Sequence, residues 1–265
     1  GVVVPTINHL DVAKEAIKAG KHVFVEKPIA STIAEAEELV ALAEQAGVKM
    51  QVGHIERFNP AIRALEPGYL NPMFIESHRL SPFDPRGTDV AVVLDLMIHD
   101  IDIILSLVKS TPTRIDANGV AVVSDQVDIA NARIQFENGC VANVTASRIS
   151  QKKMRKMRLF QRDSYVSIDF LQRLSEVFKI DNNKDSDAST VILGQIEKGK
   201  HKKNIVYEKP EIPADDAMQA EWKSFLKAIN ENSTPVVSGQ DGLEALKVAT
   251  KITEIISQQK NGSLI

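Results

Sequence analysis

The first 53 residues alternate short β-branched segments with amphipathic helical segments, and this alternation restricts the fold more than any other feature. Residues 11–19 and 33–43 carry apolar side chains at helical spacing. Short strands are predicted after these helices, at residues 22–25 and 48–52. Strands that alternate with helices pair in parallel, with the helices covering the sheet. We therefore predict an α/β fold whose residues 1–53 are the second half of a Rossmann-type doubly wound parallel sheet.

The chain opens on Gly1-Val2-Val3-Val4, a composition typical of a buried parallel strand. We expect this run to be the end of a strand and an N-terminal segment to precede it in the full protein. The motif G-x-G-x-x-G, which binds dinucleotide phosphates at the start of such sheets, occurs nowhere in the chain. The sequence by itself therefore does not demonstrate dinucleotide binding.

After Gly53 the pattern changes to that of an α+β domain. A charged but mainly apolar helix is predicted over residues 92–108, and residues 114–207 alternate as antiparallel strands do, with a hairpin turn at Asn138-Gly139. Two helices follow. The predicted organisation is a half Rossmann domain in residues 1–53, an α+β domain with a large open, mainly antiparallel sheet in residues 54–237, and a closing helix in residues 238–265 that packs back on the first domain.

Composition narrows the class of protein. The 265 residues have a formal net charge of −3 and a single cysteine, Cys140, which excludes an intrachain disulfide framework and disfavours a cysteine-rich zinc site. The near-neutral balance argues against a nucleic-acid or membrane-surface binder. No apolar run approaches the ~20 residues that span a bilayer. We expect a soluble cytoplasmic protein without a metal site.

Lys27 directly follows a predicted strand and lies between Glu26 and Pro28. Ligands of doubly wound sheets bind beyond the carboxyl ends of the strands, which is where Lys27 falls. A lysine at this place is either an exposed side chain in an ordinary turn or a cation beside a bound substrate. The residue is a candidate on position, and both interpretations remain open.

A second group of candidates lies in the helix predicted over residues 92–108. Asp95 and His99 are four residues apart and so neighbours on one helix face, and Asp102 follows one turn later. Charges in an apolar helix are costly unless they are paired. The group is either a self-satisfied His–Asp pair that braces the core or an imidazole base that a carboxylate orients. A metal site is less favoured, because no further His or Cys completes a ligand spacing.

Four segments taken together resemble the glucose–fructose oxidoreductase, inositol dehydrogenase and MocA family (GFO/IDH/MocA) of NAD(P)-dependent enzymes. They are Pro5-Thr6-x-x-His9, Glu26-Lys27-Pro28, Gly53-His54-x-x-Arg57-Phe58-Asn59-Pro60 and Asp95-x3-His99-x2-Asp102. The resemblance extends over essentially the whole chain. Family members carry the glycine-rich loop on a further N-terminal segment, which agrees with the expectation from the first residues.

The resemblance implies roles for individual residues. Lys27 would hydrogen-bond the substrate hydroxyl, His99 would take or return its proton, and Asp95 would hold that pair. NAD or NADP would be the cofactor, the Lys27-Pro28 bond would be cis, and the exposed sheet face would form a homodimer or homotetramer. The residues that would border the cofactor are Pro5, Thr6, Asn8, His9, Glu26 and Lys27.

The chain departs from common members at Met97, where they have Gly. This variant resembles the nucleotide-sugar branch, whose UDP-N-acetylglucosamine 3-dehydrogenase type oxidises C3 of the sugar. The resemblance also includes His54-x-x-Arg57-Phe58-Asn59-Pro60 and Arg79-x-Ser81-Pro82-Phe83-x-Pro85-Arg86-Gly87. Guanidinium groups match phosphate oxygens, so Arg57, Arg79 and Arg86 are candidate contacts to the substrate diphosphate. Candidate sugar contacts are His54 and Asn59, with helix capping as the alternative for Asn59.

Three functions are therefore compared. The leading one is hydride transfer between a nicotinamide and a secondary alcohol of a sugar, at C3 of a UDP-N-acetylhexosamine. The first alternative is a dehydrogenase for a free polyol or sugar such as an inositol. The second is a non-catalytic, dinucleotide-binding regulator, which would have no use for Lys27, Asp95 and His99 together.

Overall fold

The computed structural model describes residues 1–65, 69–84, 90–181, 190–198 and 201–262. The first part contains α1 (His9–Lys18), β1 (Val23–Glu26), α2 (Ile33–Gln45) and β2 (Met50–Gly53). The two strands pair in parallel, with Glu26 opposite Gly53. Val2 adds an isolated parallel bridge to Val25. The predicted Rossmann half is therefore confirmed, although only Val2 of the opening valine run joins the sheet.

Local sequence explains where these helices begin and end. The Thr32 side chain accepts a hydrogen bond from the backbone N–H of Glu35, and the Glu35 carboxylate accepts one from the N–H of Thr32, which is a capping box. Gly47 follows α2 with φ of +63°, a left-handed conformation that glycine adopts without steric cost. The chain can therefore turn directly from α2 into β2.

The second part is built on a large sheet of nine strands within the described residues, in the order β10-β11-β9-β8-β7-β3-β6-β5-β4. The parallel pair β3–β6 makes the sheet mixed, and its other pairs are antiparallel. The strands are β3 (Phe74–Leu80), β4 (Pro112–Val120), β5 (Ile129–Phe136), β6 (Val141–Ser147), β7 (Met154–Gln161), β8 (Ser164–Asp169), β9 (Leu174–Asp181), β10 (Thr190–Lys198) and β11 (His201–Glu208). This confirms the predicted open, mainly antiparallel sheet.

Helices cover one face of the sheet. A 3₁₀ turn (Ile55–Phe58) and the short α3 (Pro60–Arg63) lead into β3. A π-helical segment (Val93–Met97) then continues as α4 (Ile98–Val108), which packs on the sheet through Ile101 and Ile104. The chain closes with α5 (Ala217–Asn230) and α6 (Gly239–Gly262). No helix in the described part of the chain is long and apolar enough to cross a membrane.

Helix α6 joins the two parts because it contributes to both hydrophobic cores. Leu243 and Leu246 lie in the core around β1 and β2, whereas Val248 and Ile252 lie in the core beneath the large sheet. Gly242 allows the close approach, since a Cβ at this position would lie 2.6 Å from Val52 Cγ2. The first turns of the helix thus pack back on the Rossmann half, where we expected the closing helix.

Helix α5 packs there as well, which the sequence analysis did not anticipate. Trp222 stacks on Phe24 of β1 with 4.6 Å between ring centroids, and Phe225 contacts the same ring edge-on. Helix α5 falls within the predicted domain of residues 54–237, and its apolar face packs on the Rossmann half.

Candidate active site

Lys27 and Asp95 meet at the carboxyl edge of the parallel strands. Lys27 follows β1, and the Lys27-Pro28 peptide is cis, as the resemblance implied. The Lys27 Nζ donates a hydrogen bond to the Asp95 backbone oxygen at 2.8 Å and lies 3.5 Å from Asp95 Oδ1. Burial lowers the pKa of the Lys27 ammonium, and the Asp95 carboxylate opposes that effect. The lysine is thus a partly buried cation with a specific anionic partner.

The expected Asp95–His99 pair does not form. In the described residues no hydrogen bond joins the two side chains, and His99 Nδ1 is buried without a partner. The prediction assumed a regular α-helix, whereas Asp95 lies in the π-helical segment, where the extra residue per turn changes which side chains face each other. The nearby Lys27 ammonium also attracts the Asp95 carboxylate. The role implied for Asp95 therefore reduces to contact with Lys27.

His99 is half-buried at the start of α4. Its pKa is held well below the usual value, first by burial and then by the positive charges of Arg79 and Lys27. The imidazole is therefore neutral near pH 7 and can accept a proton. This is the protonation state that removal of a hydroxyl proton requires.

Asp102 was expected on the side of His99, but it binds Arg57. Arg57 Nε and Nη2 donate to the two Asp102 carboxylate oxygens at 2.7 Å each, and Nη2 also lies 3.4 Å from Asp241 Oδ1 on α6. The Val236 carbonyl accepts from Nη1 at 3.3 Å. Asp102 therefore cannot orient the imidazole. Arg57 is occupied by an internal ion pair, which corrects its expected role as a diphosphate contact.

Arg79 is likewise bound to carboxylates inside the protein. Its Nε and Nη2 donate to the Asp100 carboxylate at 2.7 and 3.1 Å, and Nη1 donates to Glu56 at 2.9 Å. The side chain points to the helix-covered face of the sheet and is 2% exposed. A substrate diphosphate cannot reach this guanidinium, so the expected contact is wrong. Arg86 lies outside the described residues and stays a prediction.

Glu56 is a charged group that the sequence analysis missed. The residue is buried, and its carboxylate accepts hydrogen bonds from Arg79 at 2.9 Å, Arg155 at 3.0 Å and Asn59 at 3.1 Å. It occupies an unspecified position of the Gly53–Pro60 motif. The sequence signal that could have indicated it is the position of an acid between two large apolar residues, Ile55 and Phe58.

The two expected sugar contacts are both enclosed by protein. Asn59 caps α3 through a hydrogen bond from Ala61 N–H to its Oδ1, and its Nδ2 donates to Glu56 and to the Phe170 carbonyl. The capping alternative is therefore the right one. His54 is 1% exposed and lies edge-to-face with His99, with 6.3 Å between ring centroids. Neither side chain offers a polar atom to the open side of the site.

The expected cofactor-bordering residues lie together around the carboxyl end of β1. Residues 5–8 form a short turn before α1, and the His9 ring binds the carbonyls of Val4 and Pro28 at 3.0 and 2.9 Å. His9 thereby ties that turn to the Lys27 loop. Glu26 approaches Gly53 so closely that a Cβ there would lie 2.9 Å from its Oε2. These residues fit one side of a dinucleotide crevice, which doubly wound sheets form at this edge.

Binding of a metal ion would require several ligating side chains close together. No group of three or more His, Cys, Asp or Glu side chains in the described ranges is arranged to hold a metal ion. The single cysteine, Cys140, is buried, and burial raises the pKa of its thiol to about 11. It lies on the loop between β5 and β6, remote in sequence from Lys27 and His99.

Comparison with known proteins agrees with this arrangement. The model of the oxidoreductase family with an NAD-binding Rossmann fold matches residues 1–54, and the GFO/IDH/MocA C-terminal domain matches residues 71–163. A solved structure of UDP-N-acetylglucosamine 3-dehydrogenase from Acidithiobacillus ferrooxidans superposes with a TM-score of 0.85 at 34% identity, over 97% of this chain and 78% of that one.

Sequence comparison finds the same relative. The chain is 36% identical to the UDP-N-acetylglucosamine 3-dehydrogenase of Acidithiobacillus ferrooxidans over 95% of its own length and 76% of the relative's. Identity to myo-inositol 2-dehydrogenase of Thermotoga maritima is 23%, over 98% of this chain and 77% of that relative. With its Rossmann half, its mixed sheet and the Lys27 and His99 site between them, the chain belongs to the GFO/IDH/MocA family of oxidoreductases.

Proposed function

We propose that this chain carries the catalytic residues of an NAD(P)-dependent dehydrogenase that oxidises the C3 hydroxyl of a UDP-N-acetylhexosamine. The carrying observation is the contact of Lys27 Nζ with Asp95 at the carboxyl edge of β1, with the neutral imidazole of His99 on the same helical segment. The 36% identity to the UDP-N-acetylglucosamine 3-dehydrogenase supports the choice of substrate.

The chemistry divides between cofactor and protein. The nicotinamide, when bound, accepts the hydride from the sugar carbon. His99 accepts the hydroxyl proton, so that oxygen keeps the electron pair of its O–H bond and becomes the ketone oxygen. Lys27 donates a hydrogen bond to that oxygen while negative charge develops on it. An ammonium has three donors, so Lys27 can contact Asp95 and still reach the substrate.

One observation favours a second candidate. Arg57 and Arg79, expected at the substrate diphosphate, are both occupied by internal carboxylates. A free polyol or sugar needs no diphosphate contact, so an inositol-type dehydrogenase is the alternative. A regulator without activity is disfavoured because it would not need Lys27 and His99 at one edge.

Assembly and location complete the proposal. A row of aromatic rings crosses five strands on the sheet face opposite the helices, with neighbouring centroids 5.0–5.7 Å apart. Its members are Phe74, Phe160, Tyr165, Phe178 and Tyr207. The five rings are half-buried, and a continuous aromatic row on this face favours burial against a second copy, so we propose a cytoplasmic homodimer or homotetramer through it. Light scattering of the purified protein would contradict it by giving a monomer mass.

The function is tested on the full-length protein by following the absorbance of reduced nicotinamide. NAD and NADP are each combined with UDP-N-acetylglucosamine, myo-inositol or glucose. We expect reduction with the nucleotide sugar and a loss of at least ~100-fold in Lys27→Ala and His99→Ala. Reduction with myo-inositol instead would establish the alternative. Dinucleotide binding without turnover of any sugar would favour the regulator.

A further inference from the structure

His54 and His99 form a pair of imidazoles in which three ring nitrogens lack partners. Both His54 nitrogens and His99 Nδ1 are buried, and none has a hydrogen-bond partner among the residues that the structure describes. Buried polar atoms in native proteins are nearly always satisfied by protein or by ordered water. Three unsatisfied nitrogens on two adjacent rings therefore indicate that these rings are satisfied together.

None of the nearby carboxylates on this helical segment makes a hydrogen bond to His99 in the described residues. Asp95 contacts Lys27, Asp100 binds Arg79 through both oxygens, and Asp102 binds Arg57 through both oxygens. A general base of this kind normally has its second nitrogen held by another group, which decides the tautomer. His54 is the polar side chain that packs against His99 with its own nitrogens unused.

The spacing fits a bridge of one water molecule. Two hydrogen bonds in series around a water oxygen place the two nitrogens roughly 4.5–5.5 Å apart, whereas a direct bond spans about 3 Å. The ring centroids of His54 and His99 are 6.3 Å apart at an interplanar angle of 90°, and no direct hydrogen bond joins the two rings in the described residues. Because a ring nitrogen lies about 1 Å from its centroid, nitrogens on the facing sides of these rings would be roughly 4–5.5 Å apart, which is the span of one bridging water.

Burial keeps His54 neutral, which an acceptor must be. Burial lowers its pKa most, and Arg57 and Lys27 lower it further, against the opposing carboxylates of Asp102 and Asp241. The charged groups that act on His99 are likewise cationic: Arg79, Lys27 and Arg155. A neutral imidazole has one acceptor nitrogen and one donor nitrogen.

We propose that His54 is the positioning residue of His99. Through one water molecule it accepts the hydrogen bond that His99 Nδ1–H donates, and this leaves His99 Nε2 unprotonated toward the substrate. When Nε2 takes the hydroxyl proton, the His99 imidazolium keeps its Nδ1–H bond to the same acceptor. The proposal rests on the proposed function and replaces the sugar contact that the sequence suggested for His54.

The first test reads the tautomer without turnover. Nitrogen-15 NMR of the histidine-labelled full-length protein distinguishes a protonated Nδ1 from a protonated Nε2, with His99→Gln identifying the His99 signal. We expect the Nδ1–H form in the wild type and a loss of that preference in His54→Phe, which keeps an aromatic ring but no acceptor. A wild-type His99 in the Nε2–H form overturns the proposal, whether or not any sugar is oxidised.

The second test is kinetic and uses the substrate established for the wild type. His54→Phe should lower kcat by about tenfold with KM within twofold, because only the orientation of the base is lost. His54→Gln, whose amide oxygen is an acceptor, should restore kcat to within threefold of the wild type. His22→Gln, at an exposed histidine that accepts from Lys49 N–H, is the matched control.

The outcomes separate the two proposals. A wild type that oxidises no sugar contradicts the proposed function but leaves the NMR test of His54 intact. An unchanged kcat and tautomer in His54→Phe contradict the role of His54 in an active enzyme. If His54→Phe fails to fold, the wild-type tautomer and the kcat of His54→Gln decide, and a tenfold loss in the folded Gln variant overturns the acceptor role.

Discussion

Helix α4 and the turn before it carry two sets of polar side chains that the structure treats in opposite ways. Asp100 and Asp102 are buried, and each binds an arginine through both carboxylate oxygens. His99 directly precedes Asp100 in sequence, yet its Nδ1 is unpartnered within the described residues. The two buried carboxylates that hold the helix are thus fully paired, whereas the His99 imidazole, which can accept a proton, is not.

The difference shows how the fold can position a reactive imidazole. Arg79 reaches α4 from the central strand β3, and Arg57 reaches it from the turn after β2. The two arginines therefore attach α4 to β3 and to the turn after β2. The charge of Arg79 also disfavours a protonated His99, and the charge of Arg57 disfavours a protonated His54. Four predictions follow from this comparison, in order of decreasing expected effect.

Removing the arginine from one internal pair should cost more than any other change. Arg79→Met leaves Asp100 buried without its cation and Glu56 paired with Arg155 alone, which should lower the free energy of unfolding by about 3–5 kcal/mol. Urea denaturation measures the loss. Arg114→Met, which removes an exposed arginine paired with Asp116, is the matched control. A loss below ~1 kcal/mol in Arg79→Met would show that the pair does not hold α4.

Glu221 tests whether an unpaired buried carboxyl outside the site is costly. Its Oε1 lies without a partner in the described region, and burial, with the charge of Glu26, raises its pKa from the ordinary 4.5 to about 8. Below 4.5 both the folded and the unfolded states hold the proton. As the pH rises toward 8, the unfolded state releases it first, so this carboxyl lowers stability progressively across that window.

Glu221→Gln removes this titration. We expect the variant to exceed the wild type by about 3 kcal/mol in free energy of unfolding at pH 8 and to approach it near pH 4.5. Chemical denaturation at the two pH values measures the difference. Glu231→Gln, at the C-terminal end of the same helix, is the control. Equal stabilities at pH 8 would mean that Glu221 is satisfied in solution.

Asp95→Asn tests the partner of Lys27 and should have a smaller effect. Because the Asp95 carboxylate opposes the lowering of the Lys27 pKa by burial, its loss should lower that pKa further. The alkaline limb of the kcat/KM profile then moves to lower pH, with a loss of about tenfold on that limb. The matched variant Asp116→Asn should leave the profile unchanged. A shift to higher pH would contradict the pairing.

Thr32→Ala should have the smallest effect, because it removes one hydrogen bond at an exposed helix end. The Thr32 side chain caps α2, and its loss should lower stability by about 1 kcal/mol without changing kcat. Ser31→Ala is the control, because Ser31 is the neighbouring residue and its side chain does not cap α2. Thermal unfolding detects the difference, and an effect as large as that of Arg79→Met would remove the distinction between buried and exposed pairs.

The fold was largely predictable because its information is local. The alternation in residues 1–53 and the hairpin around Asn138-Gly139 follow from periodicity and turn residues, and the structure confirms both. The π-helical turn at Asp95 was not predictable, since a single wide turn leaves the apolar pattern unchanged. The contact of α5 with β1 also required the folded structure, because two amphipathic surfaces can pair in many ways.

For the site, residue type was predictable and partnership was not. The sequence by itself determined that Lys27 ends a strand at the ligand edge and that Asp95, His99 and Asp102 share one helical segment. Only the tertiary structure decided that Asp102 binds Arg57, that Arg79 is buried against Asp100 and Glu56, and that His54 faces His99. Ion pairs and ring contacts join residues far apart in the chain, so their choice depends on packing that no local pattern records.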